Sequence, residues 1–75
     1  MRENLTETLA TNLRKFMDEE EITTAMLAEW SGVSGEAIRG WLKGKTLPYE
    51  EKLMMVAKVF KRPLSDFYGN GRDLT

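Results

Sequence analysis

Residues 23–44, TTAMLAEWSGVSGEAIRGWLKG, decide the fold, because they hold four of the six glycines yet keep apolar residues at helical spacing. Thr23 is suited to cap a helix, since its hydroxyl can accept from an amide two or three residues further on. Gly32 follows the last apolar-periodic residue, where helices often end in the left-handed conformation that glycine adopts without steric penalty. The first half of the stretch therefore predicts a short helix over about 24–31.

The second half of the stretch repeats the same pattern. Ser34 is a second candidate cap, Ile38 and Trp41 lie one turn apart on an inward stripe, and Gly44 ends the segment. A helix over about 35–43 is predicted, joined to the first by a turn of about three residues. Two short helices around a glycine-containing turn form a helix-turn-helix unit.

Helices are also predicted in the rest of the chain. Apolar residues at steps of three and four predict helices over about 5–18 and 49–60, and Pro63 can open a short final helix. A chain of 75 residues has room for one core. We therefore predict an all-α, compact five-helix bundle in one domain, 1–68, followed by a flexible C-terminal tail, 69–75.

Composition excludes several kinds of chemistry. The sequence has no cysteine and no histidine, so disulfides, thiolate or imidazole catalysis and the common zinc sites are absent. The acidic run from Asp18 to Glu21 is expected to be a solvated connection between two apolar-periodic segments rather than a metal or acid/base site, because facing side chains need three- or four-residue spacing. We predict neither enzyme activity, cofactor nor metal. With no transmembrane stretch or secretory leader, a cytoplasmic location away from membranes is expected.

The chain resembles the lambda-repressor-like helix-turn-helix domains of phage repressors, Cro proteins and related bacterial regulators. The resemblance covers about residues 5–68 and includes the segments NLRKFMDEEEIT, GKTLP and LMMVAKVFKRPLSDF. It is strongest in the twenty-residue motif that starts at Thr24. The matching small, turn and buried positions are Ala28, Gly32, Val33, Ile38 and Trp41.

This resemblance implies a transcriptional regulator, of the phage or prophage repressor type, that binds double-stranded DNA at a specific operator. The second helix of the motif would lie in the major groove. The residues implied to meet base edges are Ser34, Gly35, Glu36, Arg39 and Lys43. The residues implied to contact phosphates are Thr24, Lys45 and Thr46. A homodimer on a palindromic operator is also implied, and the dimer contact is predicted at Leu64, Phe67 and Tyr68.

Several alternatives stay open from the sequence. The resemblance fits a complete Cro-like protein, the DNA-binding half of a longer repressor, or an antitoxin that regulates its own operon. A protein-interaction module that kept only the fold is the rival, because the net charge is −1, Gly35 replaces a long polar residue and Trp30 occupies a usually polar position. Trp30 is either partly covered at a helix edge or part of a partner or DNA-backbone contact.

Three further residues, Gly40, Met54 and Met55, have assignments of their own. Gly40 either allows close approach to DNA or is merely tolerated beside Trp41. Of Met54 and Met55, one is expected in the core and the other at its margin.

Overall fold

The computed structural model describes residues 5–68, and this part of the chain is all helical, as predicted. The predicted tail, 69–75, lies outside the described residues. The helices, in chain order, are α1 (Leu5–Glu20), α2 (Thr24–Ser31), α3 (Gly35–Leu42), α4 (Glu50–Phe60) and α5 (Ser65–Tyr68). Within the described residues, none of these helices is long and apolar enough to cross a membrane.

The ends of α2 and the start of α3 follow the predicted caps. The Thr23 hydroxyl accepts from the Met26 amide at 3.1 Å, and the Ser34 hydroxyl accepts from the Ala37 amide at 3.1 Å. Gly32 has φ +82° and donates from its amide to the Ala28 carbonyl, so the left-handed helix end is confirmed. Three residues, 32–34, therefore separate the two helices.

The end of α3 differs by one residue from the prediction. The helix stops at Leu42, and Lys43 acts as its C-cap by donating to the Arg39 carbonyl. Gly44 then has φ +73°, which confirms a left-handed glycine at the helix exit. The exit glycine turns the chain into the loop that precedes α4.

The end of α1 was predicted at residue 18, but the helix runs to Glu20. Glu21 adopts φ +58°, and the amide of Ile22 donates to the carbonyl of Met17 at 2.9 Å. This bond satisfies one of the carbonyls that the last turn of the helix leaves without an internal partner. The carboxylates of the acidic run are exposed, so water screens their repulsion from the helix dipole. The helix therefore ends within the acidic run, but two residues later than predicted.

Every helix contributes to one hydrophobic core. Three of its rings, Phe16, Phe60 and Phe67, pack together with centroids 5.1–6.1 Å apart. Phe16 and Phe67 are edge to face, an arrangement that aromatic quadrupoles favour. The remaining core residues are Leu9, Leu13, Met17, Leu27, Val33, Ile38, Trp41, Leu53, Val56 and Ala57.

Two predictions about apolar residues are wrong. Phe67 is 0% exposed, so its side chain belongs to the core and is not available to the predicted dimer contact. Met54 and Met55 are both exposed, at 46% and 42%, instead of one lying in the core. The inward stripe of α4 starts at Leu53 and continues with Val56, which leaves the two methionines on opposite flanks of that stripe.

Candidate nucleic-acid interface

Helix α3 has one buried face and one polar face. Ile38 and Trp41 are 0% and 4% exposed and fix the helix against the core. Glu36, Arg39 and Lys43 are exposed and follow one another at steps of three and four, so they share the opposite face. The core contacts therefore determine which side chains α3 presents to solvent.

The start of α3 lies beside the start of α2. A Cβ placed on Gly35 would be 3.9 Å from Thr24 Cγ2 and 4.0 Å from Ala28 Cβ, which is ordinary van der Waals contact. The small side chain of Ala28 permits this approach, as the sequence predicts. Ser34, directly before the helix, is exposed, although its hydroxyl already accepts the capping hydrogen bond. Thr24 therefore lies at the same end of α3 as Ser34 and Gly35.

The loop after α3 returns along the helix. Thr46 Oγ1 is 3.9 Å from the point where a Cβ on Gly40 would stand, so Thr46 lies beside the middle of α3. Lys45 and Thr46 are both exposed. The loop thus brings the predicted phosphate-contacting residues next to the polar face of α3. A Cβ on Gly40 would contact only that flexible hydroxyl, so packing within the described residues does not require glycine there.

Charge is unevenly distributed along the chain. Residues 1–22 carry a net charge of −3, residues 23–49 carry +1 and residues 50–75 carry +1. The acidic excess lies mostly at the end of α1, whereas the segment that includes α3 and its loop carries Arg39, Lys43 and Lys45. The segment around the polar face of α3 is therefore only weakly positive. A strongly basic DNA-binding domain carries a much larger positive charge.

An arginine on α1 anchors the far end of α3, a contact that sequence reasoning missed. Arg14 donates from Nη2 to the carbonyl oxygen of Leu42 at 3.0 Å. From the sequence alone, Arg14 is only a favourable positive charge near the end of the first helix. The two residues are 28 positions apart, so no local spacing points to the contact.

A second arginine joins α1 to the α4–α5 connection. Arg62 Cζ lies 3.9 Å from the ring centroid of Phe16. Its Nη1 bonds to Asp66 Oδ2 at 3.2 Å, and its Nη2 lies 3.6 Å from Glu19 Oε1. The i,i+4 spacing of Arg62 and Asp66 is a signal that sequence analysis had available, but the ring contact is not visible in any pattern. This cluster is a structural feature, separate from the polar face of α3.

The groups on the surface of α3 define the chemistry that this surface can carry out. Between residues 5 and 68, no group of three or more Asp, Glu, His or Cys is arranged to hold a metal ion. The surface of α3 offers hydroxyls, one carboxylate and cationic groups. These groups donate and accept hydrogen bonds and neutralise charge, which is the chemistry that binding to a polar, anionic polymer uses.

Comparison of the chain with protein-family models, with curated proteins and with solved structures finds no match.

Proposed function

We propose that the chain is a sequence-specific, double-stranded DNA-binding transcriptional regulator with a lambda-repressor-like helix-turn-helix fold. The observation that carries this proposal is the orientation of α3, whose core contacts at Ile38 and Trp41 leave a continuous polar face outward. A helix held in this way can enter the major groove without unfolding or repacking.

Each predicted residue has a defined role in this proposal. Arg39 reads guanine, because a guanidinium can donate to O6 and N7 together, and Glu36 accepts from a cytosine amino group. The remaining residues at base edges are Ser34, Gly35 and Lys43. Thr24, Lys45 and Thr46 contact phosphates and fix the register of the helix on the duplex.

The proposed regulator acts by occupying a palindromic operator and blocking transcription. One eight-residue helix reads few bases, so two copies related by a twofold axis give the specificity that one copy lacks. Leu64 and Tyr68 are half-buried and keep part of their surface for contact with the second copy. The weakly positive surroundings of α3 imply low non-specific affinity, because that affinity comes from phosphate neutralisation.

A selection from a random duplex library, with the bound DNA sequenced at two salt concentrations, tests the proposal. We expect a palindromic consensus whose half-sites are about one helical turn apart, with weaker retention at the higher salt concentration. An absence of enrichment at low salt would overturn the proposal.

One observation favours a second function, a protein-interaction module. Trp30 is 55% exposed on α2, and tryptophan is enriched in protein interfaces relative to the rest of the surface. In this alternative, Trp30→Ala abolishes partner binding and Arg39→Ala has no effect. DNA selection by the wild-type protein, retained by Trp30→Ala, would favour the regulator.

A further inference from the structure

Gly35 occupies a position where its backbone does not require glycine. It is the first residue of α3, and the glycines with positive φ in the described part of the chain are Gly32 and Gly44. Glycine forms helices less readily than any residue except proline. The helix therefore carries an unfavourable residue in its first turn without a conformational reason.

The space around Gly35 supplies a different reason. A Cβ would meet Thr24 and Ala28 only at 3.9 and 4.0 Å, so packing of α2 against α3 does not exclude alanine. The nearest group is Arg39 Nη1, which would lie 3.3 Å from that Cβ. Such a contact is tighter than usual, so the guanidinium would have to shift by a few tenths of an ångström. Arg39 therefore lies back over the first turn of α3, in the space that the absent side chain leaves.

We propose that Gly35 is a positioning residue for Arg39, an inference that rests on the proposed DNA-binding function. The missing side chain lets the guanidinium lie against the start of α3 beside Thr24, rather than extend freely from the middle of the helix. A guanidinium placed at the start of α3 approaches a base edge from that end of the helix, and we expect this position to sharpen its preference for one base. Gly35 thus contributes to specificity through Arg39, in addition to its own position at the base edges.

A double-mutant cycle with Gly35→Ala and Arg39→Ala tests this inference. Each variant is put through the random-duplex selection, and the preference at every base position is compared with that of the wild type. Arg39→Ala is expected to lose about tenfold to 100-fold at the base pair that it reads. Gly35→Ala is expected to lose about threefold to tenfold at that same base pair and to leave the other positions unchanged.

The matched control is Gly35→Ala in the Arg39→Ala background, where no guanidinium is left to displace. We expect no further change in preference there. If Gly35→Ala instead weakened binding equally in both backgrounds, Gly35 would act by close backbone approach to the DNA, and the positioning role would be overturned. Unchanged preference in Gly35→Ala would overturn it as well.

A measurement without DNA separates the failure of this inference from the failure of the proposed function. Proton NMR of the free wild-type protein is expected to show a nuclear Overhauser effect between the Gly35 Hα and Arg39 side-chain protons. Its absence would overturn the positioning role, whatever the protein binds. If the effect is present but the wild-type protein enriches no DNA sequence, the proposed function fails, and with it the base-reading consequence of this geometry.

Discussion

Arg14 on α1 donates a hydrogen bond of 3.0 Å to the carbonyl oxygen of Leu42, the last residue of α3. The final carbonyls of a helix have no partner within it, and the C-terminal end carries a partial negative charge. The Arg14 guanidinium donates to one of these carbonyls and also places a positive charge at the negative end of the helix. The bond also joins two helices at the end of α3 opposite to Gly35, so α1 helps to hold the proposed recognition helix.

We expect Arg14→Ala to lower the free energy of unfolding by about 1 kcal/mol, because one charge-assisted hydrogen bond at a helix end is lost. Urea denaturation followed by circular dichroism measures the change. Lys15→Ala is the matched control, since Lys15 is exposed on the same helix and next in sequence. Equal effects of the two substitutions would show that the bond to Leu42 contributes nothing.

Gly40→Ala should raise the free energy of unfolding by about 1 kcal/mol, since alanine is the better helix former and its Cβ meets only Thr46 Oγ1 at 3.9 Å. Gly32→Ala should lower it by about 1–2 kcal/mol because φ is +82° there. Thermal unfolding of both variants tests this contrast. A destabilised Gly40→Ala would reveal packing that the described residues do not show.

The DNA affinity of Gly40→Ala tests a separate point. Unchanged affinity would exclude close approach of DNA at Gly40.

Arg62→Ala is expected to destabilise the fold by about 1–2 kcal/mol, mainly through the lost contact with the Phe16 ring. The two ion pairs are partly exposed and add little. Arg62→Met should lower the free energy of unfolding by less, because a thioether also packs well on an aromatic ring. The substitution also removes the Arg62 Nε, which is buried without a hydrogen-bond partner. Chemical denaturation compares them, and a methionine variant as unstable as the alanine variant would contradict the ring-contact explanation.

Burial raises the pKa of the Tyr68 hydroxyl above its usual value near 10, and the charge of Glu50 raises it further. The unfolded chain then loses this proton at lower pH than the folded chain does. The stabilisation is therefore full below pH 10 and is lost as the pH rises through the raised pKa. Tyr68→Phe should lose less stability between pH 9 and 11, as measured by denaturation at each pH. Parallel pH profiles of the two proteins would contradict this.

Arg39→Ala should weaken binding to the selected operator by about 1–3 kcal/mol and relax the preference at one base pair. Fluorescence anisotropy with the consensus duplex and with duplexes changed at single positions measures both effects. Lys58→Ala is the control, because it also removes an exposed positive charge, but from the last turn of α4. A uniform loss across all duplexes would show that Arg39 contacts a phosphate instead of a base.

Local features of the fold were accessible from the sequence. The caps at Thr23 and Ser34 and the left-handed Gly32 depend on residues within four positions, so spacing alone predicts them. The polar face of α3 follows from the same periodicity, once Ile38 and Trp41 are recognised as inward.

Contacts between distant elements were not accessible in this way. Asn12 Nδ2 donates to the Phe67 carbonyl at 2.7 Å across 55 positions, and this bond helps to fix α5 against α1. Without that placement, an apolar residue such as Phe67 can be assigned to the core or to an interface with equal justification. The position of Arg39 over Gly35 is similarly a matter of side-chain conformation, which periodicity does not specify.

The packing of Phe16, Phe60 and Phe67 against one another determines how early during synthesis the core can be completed. Phe16 and Phe60 both pack against the ring of Phe67. This ring comes from the last described helix and is completely buried in the folded chain. A nascent chain that has not yet released residue 67 from the ribosome therefore exposes an unfilled apolar site on α1. The core is consequently complete only after residue 67 has left the ribosome, and α3 is synthesised before the last part of the scaffold that holds it.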